Sequence, residues 1–396
     1  MPGPLDGIRI LDMSRILAGP FATQLLGDMG AEVIKVERPG RGDDTRAWGP
    51  PFVPGEDGGE LPESAYYLSA NRNKRSVAVD MSSAKGAEVI RQMAGECDVV
   101  IENFKPGGLE KYGLDHDSLR GLYPGLVHCS ISGFGHTGPN AHRPGYDLLA
   151  QAMSGIMAIT GEPEGEPMKV GVGVADVMCG MYAANAIQAA LIHRMKTGEG
   201  QHIDIALADT TTSWLVNAGT NYLLGGVEER LGNQHPNIVP YQVFKVADGH
   251  VIVAAGNDGQ FERFCGIIGR EDMVRDVRYA TNPARLEHRE ALIAELAEEL
   301  KLWLKAALIA RMEAENVPGG PINTLKEVFD SEQVKAREMR IAMEFPGARG
   351  GKVDLIGNPV KFSGTPVEYR RPPPQCGAHT DEVLQELLGQ ARIEED

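Results

Sequence analysis

Cysteine is scarce in this sequence, and what little there is does not pair. Cys97, Cys129, Cys179, Cys265 and Cys376 are scattered, with no C-x-x-C and no His/Cys metal spacing. An odd, sparse set reads as reduced thiols and excludes a disulfide framework. Positive charge is also in deficit: 39 Lys and Arg against 55 Asp and Glu leave a net charge of −16. A general nucleic-acid or anionic-membrane binder needs a basic face, so neither partner is expected. The N-terminus, Met1-Pro2-Gly3-Pro4-Leu5-Asp6, lacks the basic and apolar segments of a secretory signal. The most apolar helical stretch, Ala183 to Leu191, is broken by Asn185 and Gln188 and reads as too short to span a bilayer. A cytoplasmic protein is the expectation.

Glycine (48 residues) and proline (25) punctuate the chain into alternating elements. Ile8 to Met13 reads as a strand, Phe21 to Met29 as a helix and Ala31 to Glu37 as the next strand. A strand, helix and strand within forty residues form a βαβ unit and predict a parallel sheet. A helix from Ala84 to Gly95 and strands at Asp98–Glu102, Leu126–Ile131 and His202–Leu207 continue the pattern. The expected fold class is α/β, with a large doubly wound domain whose ligands gather at the carboxyl ends of the strands. A composition change at Gly225-Gly226 and a hairpin around Ala247-Asp248-Gly249 suggest a smaller central α+β domain. The expected division is 1–224 for the first part of the large domain, 225–330 for the small one with its linker, and 331–396 for a segment returning to the large domain.

The first strand-to-helix turn lacks G-x-G-x-x-G, so a dinucleotide cofactor and the redox chemistry it would support are not expected. Basic residues follow several strand ends instead: Arg15, Arg38, Arg41, Arg72, Lys74, Arg75, Lys105 and Lys111. Each alone reads as a solvated charge; their recurrence where strand ends converge suggests a phosphate-binding rim. The run Val170 to Met195 leads small residues into one carboxylate, Asp176, and on into an alanine-rich helix closing at Lys196-Thr197-Gly198. By itself the run leaves two readings of Asp176, a helix cap or a reactive anion at a helix N-terminus.

Taken in order, Leu17-Ala18-Gly19-Pro20-Phe21, Gly30 to Glu37, Gly42-Asp43-Asp44-Thr45-Arg46, Asn71 to Ser76, Glu102 to Gly107, Gly145 to Leu149 and Gly377 to Glu382 resemble the family III CoA-transferases. The resemblance spans nearly the whole chain and implies a Rossmann-like large domain, an interlocked homodimer and no permanently bound cofactor. Acyl-CoA and small carboxylic acids would be the substrates. It implies an acylated aspartate at Asp176 and CoA contacts at Ile16, Leu17, Ala18, Arg38, Val79, Asn103, Phe104 and Lys111, the last standing where relatives have arginine. No metal is implied. The Trp48 to Phe52, Ile238 to Lys245, Val317 to Asn323 and Arg371 to Pro374 runs look most like the succinyl-CoA:glutarate branch. A dicarboxylic acid would need a second cation, for which Arg46, Arg143 and His235 are candidates. Formyl-CoA or carnitine-type transfer stays open within the family. So does 2-methylacyl-CoA racemisation, although Tyr146 stands where the racemases carry histidine, with His142 nearby and Asp258 at their acidic position. A non-enzymatic CoA-binding module is the remaining alternative.

Overall fold

A computed structural model describes residues 2–390. By their packing they fall into two units, the first comprising 2–156, 169–215 and 332–390 and the second 157–168 and 216–331. The first unit is built on a six-stranded sheet: β1 (Arg9–Asp12), β2 (Glu32–Glu37), β3 (Lys74–Ala78), β4 (Val99–Glu102), β5 (Val127–Ser132) and β6 (His202–Ala206). The spatial order is β3-β2-β1-β4-β5-β6, parallel throughout. The strand missed by the sequence reading is β3, because Arg72, Lys74 and Arg75 look like a surface loop.

Parallel sheets are covered on both faces, so their strands are mostly apolar, and charged exceptions such as Lys35 on β2 and Lys74 on β3 are buried with partners. Side chains alternate along each strand. Ile10, Val99 and Ile101 pack on one face with α1 (Ala18–Asp28) and α5 (Val174–Thr197). Leu11 and Val100 pack on the other with α2 (Ala84–Gly95) and α11 (Thr380–Leu388). Where α5 crosses α1, a Cβ on Gly180 would lie 2.6 Å from the Ala18 carbonyl oxygen. Only glycine permits that approach. α5 has 24 residues and is long and apolar enough to cross a membrane by length and composition. Its Asn185 and Gln188 therefore do not shorten it as the sequence reading supposed. Half of its apolar window is buried in the protein, as befits a core helix.

The outer edge of β3 is closed from the far end of the chain. The Asn73 amide donates to the Arg371 carbonyl and the His379 amide to the Ser76 carbonyl. The Ser76 amide reaches His379 Nδ1, and the Ala78 amide reaches Thr380 Oγ1.

In the second unit, β7 (Tyr241–Val246) and β8 (Gly249–Ala254) form the expected hairpin, joined by β9 (Gly319–Pro321). Helices α8 (Asp258–Ile268), α9 (Arg289–Leu300) and α10 (Lys305–Ala314) build its core around Phe261, Phe264, Leu296 and Leu308. After β6 come α6 (Leu207–Ser213) and α7 (Val216–Gly225), and the unit boundary falls between them.

Candidate active site

The strand order reverses at β1, which has β2 on one side and β4 on the other. In such sheets a crevice opens between the loops leaving the two strands at the reversal. Here that crevice is a cavity of about 730 Å³, lined by Arg15 to Ala18 after β1, by Asn103 to Pro106 after β4, and by Asp176. Six of the expected site residues are thus brought together: Ile16, Leu17, Ala18, Asn103, Phe104 and Asp176. An adjoining cavity of about 610 Å³ holds Arg38 and Val79 and shares Arg15, Arg41, Asp43, Asp44 and Phe104 with the first. Lys111 lines neither. Its Nζ sits 4.7 Å from the ring centroid of Tyr112, and it is Tyr112 that faces the second cavity.

The wall after β1 is held under strain. Ile16 is β-branched yet has φ 73°, a left-handed conformation that such residues rarely adopt. Its neighbours hold it there. Asn103 clamps Arg15 from both sides, accepting from its amide at 2.9 Å and donating Nδ2 to its carbonyl at 2.6 Å. Lys35 Nζ donates to the Ser14 carbonyl at 3.0 Å.

Beneath this wall lies a buried charge network, which corrects the phosphate-rim reading for three of its members. Lys74 is fully buried, donating to Asp12 Oδ2 at 3.1 Å and to Asn71 and the Pro20 carbonyl. Arg72 grips Asp28 with two nitrogens, at 2.9 and 2.7 Å. Arg75 pairs with Glu32, Glu382 and Glu386. These cations are committed to carboxylates within the fold and line neither of the two cavities. Arg15, Arg38, Arg41 and Lys105 do face the cavities.

Asp176 is the third residue of α5, three positions past the cap and not at it. Gly173 is the cap residue, and the missing side-chain acceptor comes from a distance. Asp147, which opens α4 (Asp147–Met153), accepts from the Ala175 amide through Oδ1 at 2.8 Å. Asp176 is thereby released from capping. Burial, and then the charge of Asp147, push its carboxyl up to about 7. Burial and the charges of Asp176 and Asp147 push the Tyr66 hydroxyl up to about 12, so it stays protonated as a donor. Tyr66 packs edge-on against Trp48 with centroids 5.3 Å apart, and Trp48 lines the Asp176 cavity. Neither contact is readable from the sequence, since 28 residues separate Asp147 from Ala175 and no local pattern marks Tyr66.

A model of the CoA-transferase family III matches residues 5–380. The chain belongs to this family. A succinate–glutarate CoA-transferase of Agrobacterium fabrum is 51% identical over 97% of this chain and 96% of its own. A human succinyl-CoA:glutarate CoA-transferase is 45% identical, over 97% of this chain and 86% of its own. The crystal structure of a CAIB/BAIF family protein from Brucella suis superposes with a TM-score of 0.85 at 48% identity, covering 98% of this chain and all of the other. The chain is a family III CoA-transferase, and acyl-CoA thioesters are the family's substrates.

Within that family, the candidates for a second carboxylate site separate clearly. Arg46 is excluded: it is buried, bonded to Glu37 through two nitrogens at 2.9 and 2.7 Å, and stacked 3.7 Å over the Tyr67 ring. His235 lies in the second unit, where its Nδ1 accepts from the Asn237 amide. Arg143 lines the Asp176 cavity. Of the residues weighed for racemase chemistry, His142 lines neither cavity, and Asp258 is bonded to Arg285 at 2.7 Å. Among the described residues no cluster of His, Cys, Asp and Glu could hold a metal ion.

Proposed function

We propose that this chain moves CoA between dicarboxylic acids such as succinate and glutarate by covalent catalysis on Asp176. The observation that carries the reading is Asp176 itself, a carboxylate at the switch-point cavity that caps nothing. Its carboxylate attacks the thioester carbonyl, the C–S bond breaks, and a mixed anhydride and CoA thiolate result. The thiolate then attacks the Asp176 carbonyl carbon, giving an aspartyl-CoA thioester and releasing the first acid. The incoming acid reverses both steps and regenerates Asp176. Each intermediate is hydrolysable, so water must be kept from it. A raised pKa suits the attacking step, since a more basic carboxylate is the better nucleophile.

CoA would lie along the two joined cavities, with its acyl end at Asp176 and its phosphates towards Arg38. Lys111, also expected at the CoA site, would act only at the rim from its place over Tyr112. The dicarboxylate preference is supported by the relatives named for succinate and glutarate. The sheet order supports a Rossmann-like ancestry, and the acidic, thiol-bearing composition a cytoplasmic setting. Mixing the purified protein with succinyl-CoA and glutarate should yield glutaryl-CoA and succinate one for one, read by mass spectrometry. Transfer only to monocarboxylic acids would overturn the dicarboxylate reading, and a folded, CoA-binding protein that forms no new CoA ester from any carboxylic acid would be a binding module.

The homodimer is part of the same proposal. Met181, Tyr182, Ile192 and Met195 are large apolar side chains exposed on α5, a helix only half buried in the chain itself, and a second copy of the chain would cover them. Sedimentation equilibrium should give twice the 42.7 kDa chain mass. A folded, active monomer at micromolar concentration would reject it.

A further inference from the structure

We infer that Arg143 reads the far carboxylate of the acid substrate and so sets the preference for dicarboxylates. The inference rests on the CoA-transfer reading above and assigns a residue to its specificity. Arg15 and Arg41 both pair with Asp44, at 3.1 and 2.9 Å, in the zone shared by the two cavities. Lys105, like Arg143, lines only the Asp176 cavity, but it follows Phe104, a shared residue, and is exposed where Arg143 is partly buried. These three stand along the path of CoA. Arg143 lines only the cavity that contains Asp176.

Its guanidinium is uncommitted. Nη1 donates to the neutral Asn140 Oδ1 at 3.3 Å, and the group lies 5.3 Å from the Phe134 ring centroid. No Asp or Glu among the described residues forms an ion pair with it. A partly buried arginine without a counter-ion in a reaction cavity is a ready site for an anion, and its planar fork matches a carboxylate.

The backbone that carries it is fixed at two points. Gly133 and Gly145 meet back to back: a Cβ on Gly145 would lie 2.1 Å from Gly133 Cα. Two residues further on, Asp147 is bonded to the Ala175 amide, next to Asp176. Segment 143–147 is thus locked to the first turn of α5, and Arg143 is held in register with the nucleophile. A diacid bound with one carboxylate at Asp176 would extend its other end into this cavity. A monoacid of equal length would leave the guanidinium without its partner.

The test compares glutarate with pentanoate as acceptors, with succinyl-CoA as donor, in wild type and in Arg143→Ala, Arg143→Gln and Arg143→Lys. The ratio of the two kcat/KM values is the readout, because the donor half-reaction cancels from it. Wild type should favour glutarate. The ratio should fall roughly ten- to a hundredfold in the Ala and Gln variants, as for loss of a charge-assisted contact. It should fall less in the Lys variant, which keeps the charge without the fork. If wild type favours glutarate and all three variants keep its ratio, Arg143 has no part in specificity while the dicarboxylate reading stands. If wild type does not discriminate, the dicarboxylate reading falls and takes the assignment with it. Should Arg143→Ala not fold, the Gln and Lys variants give the same ratio.

Discussion

Asp176→Asn is expected to lower CoA exchange by roughly four orders of magnitude or more, while the protein folds and still binds CoA. The amide cannot form an anhydride. It also loses nothing structural, because the cap of α5 is supplied by Asp147 and not by Asp176. Stability should move the other way. The folded pKa of Asp176 is raised from 3.8 to about 7. Between those values the folded state holds the extra proton, so stability is highest at low pH and is lost as pH rises through about 7. Above that pH the ionised aspartate costs about 1–2 kcal/mol once its partial contact with solvent is allowed for. Asp176→Asn removes that cost and should melt higher than wild type at pH 8 but not at pH 4. Thermal melts at the two pH values, beside the exchange assay, check both halves. Asparagine can deamidate to aspartate, so each preparation needs its mass verified. An Asn variant that exchanges CoA at the wild-type rate, with no deamidation, would return Asp176 to a structural role.

Asp12→Ala should have the largest effect on the fold itself. Asp12 is fully buried at the end of β1 and accepts from the Ser14 amide and hydroxyl, from Thr23 Oγ1 at 2.6 Å and from Lys74 Nζ at 3.1 Å. Its neighbours Lys35 and Lys74 are buried as well, and burial already pulls Lys74 down to about 8. Removing one partner of a buried pair costs about 3–5 kcal/mol, because the other charge keeps its desolvation penalty. Lys74 can limit the loss by releasing its proton, so the lower half of that range is expected at alkaline pH. Urea denaturation at pH 7 and pH 9 measures the difference. An unchanged midpoint would mean that the network is not supporting the strands. Because Ser14 and Thr23 flank the strained turn at Ile16, the cavity wall should loosen together with the fold.

The contrast between these two aspartates shows what could be read from the chain beforehand. The parallel sheet, the hairpin of the second unit and the glycine at the end of α5 followed from local periodicity and turn chemistry. Ile16, Leu17, Ala18, Asn103 and Phe104 cluster in one cavity because loops leaving adjacent parallel strands must converge. Arg46, Arg72, Lys74 and Arg75 misled the reading for a single reason: charged side chains are normally exposed, and only the fold reveals the carboxylates that let them be buried. Local sequence likewise cannot show that the acceptor for the α5 N-terminus arrives from α4, and that long-range bond separates the cap from the nucleophile.

The closing of the β3 edge bears on how the chain is made. Synthesis delivers β1, β2 and β3 early, and residues 371–380, which satisfy the outward amides and carbonyls of β3, some three hundred positions later. Until then the nascent sheet presents an unpaired strand edge with Lys74 and Arg75 on it. Exposed edges are templates for pairing with other chains, so the edge is a liability until the far end of the chain arrives. Arg75 has Glu32 of β2 beside it from the start and gains Glu382 and Glu386 only with the last segment made, so the finished edge waits for the end of the chain.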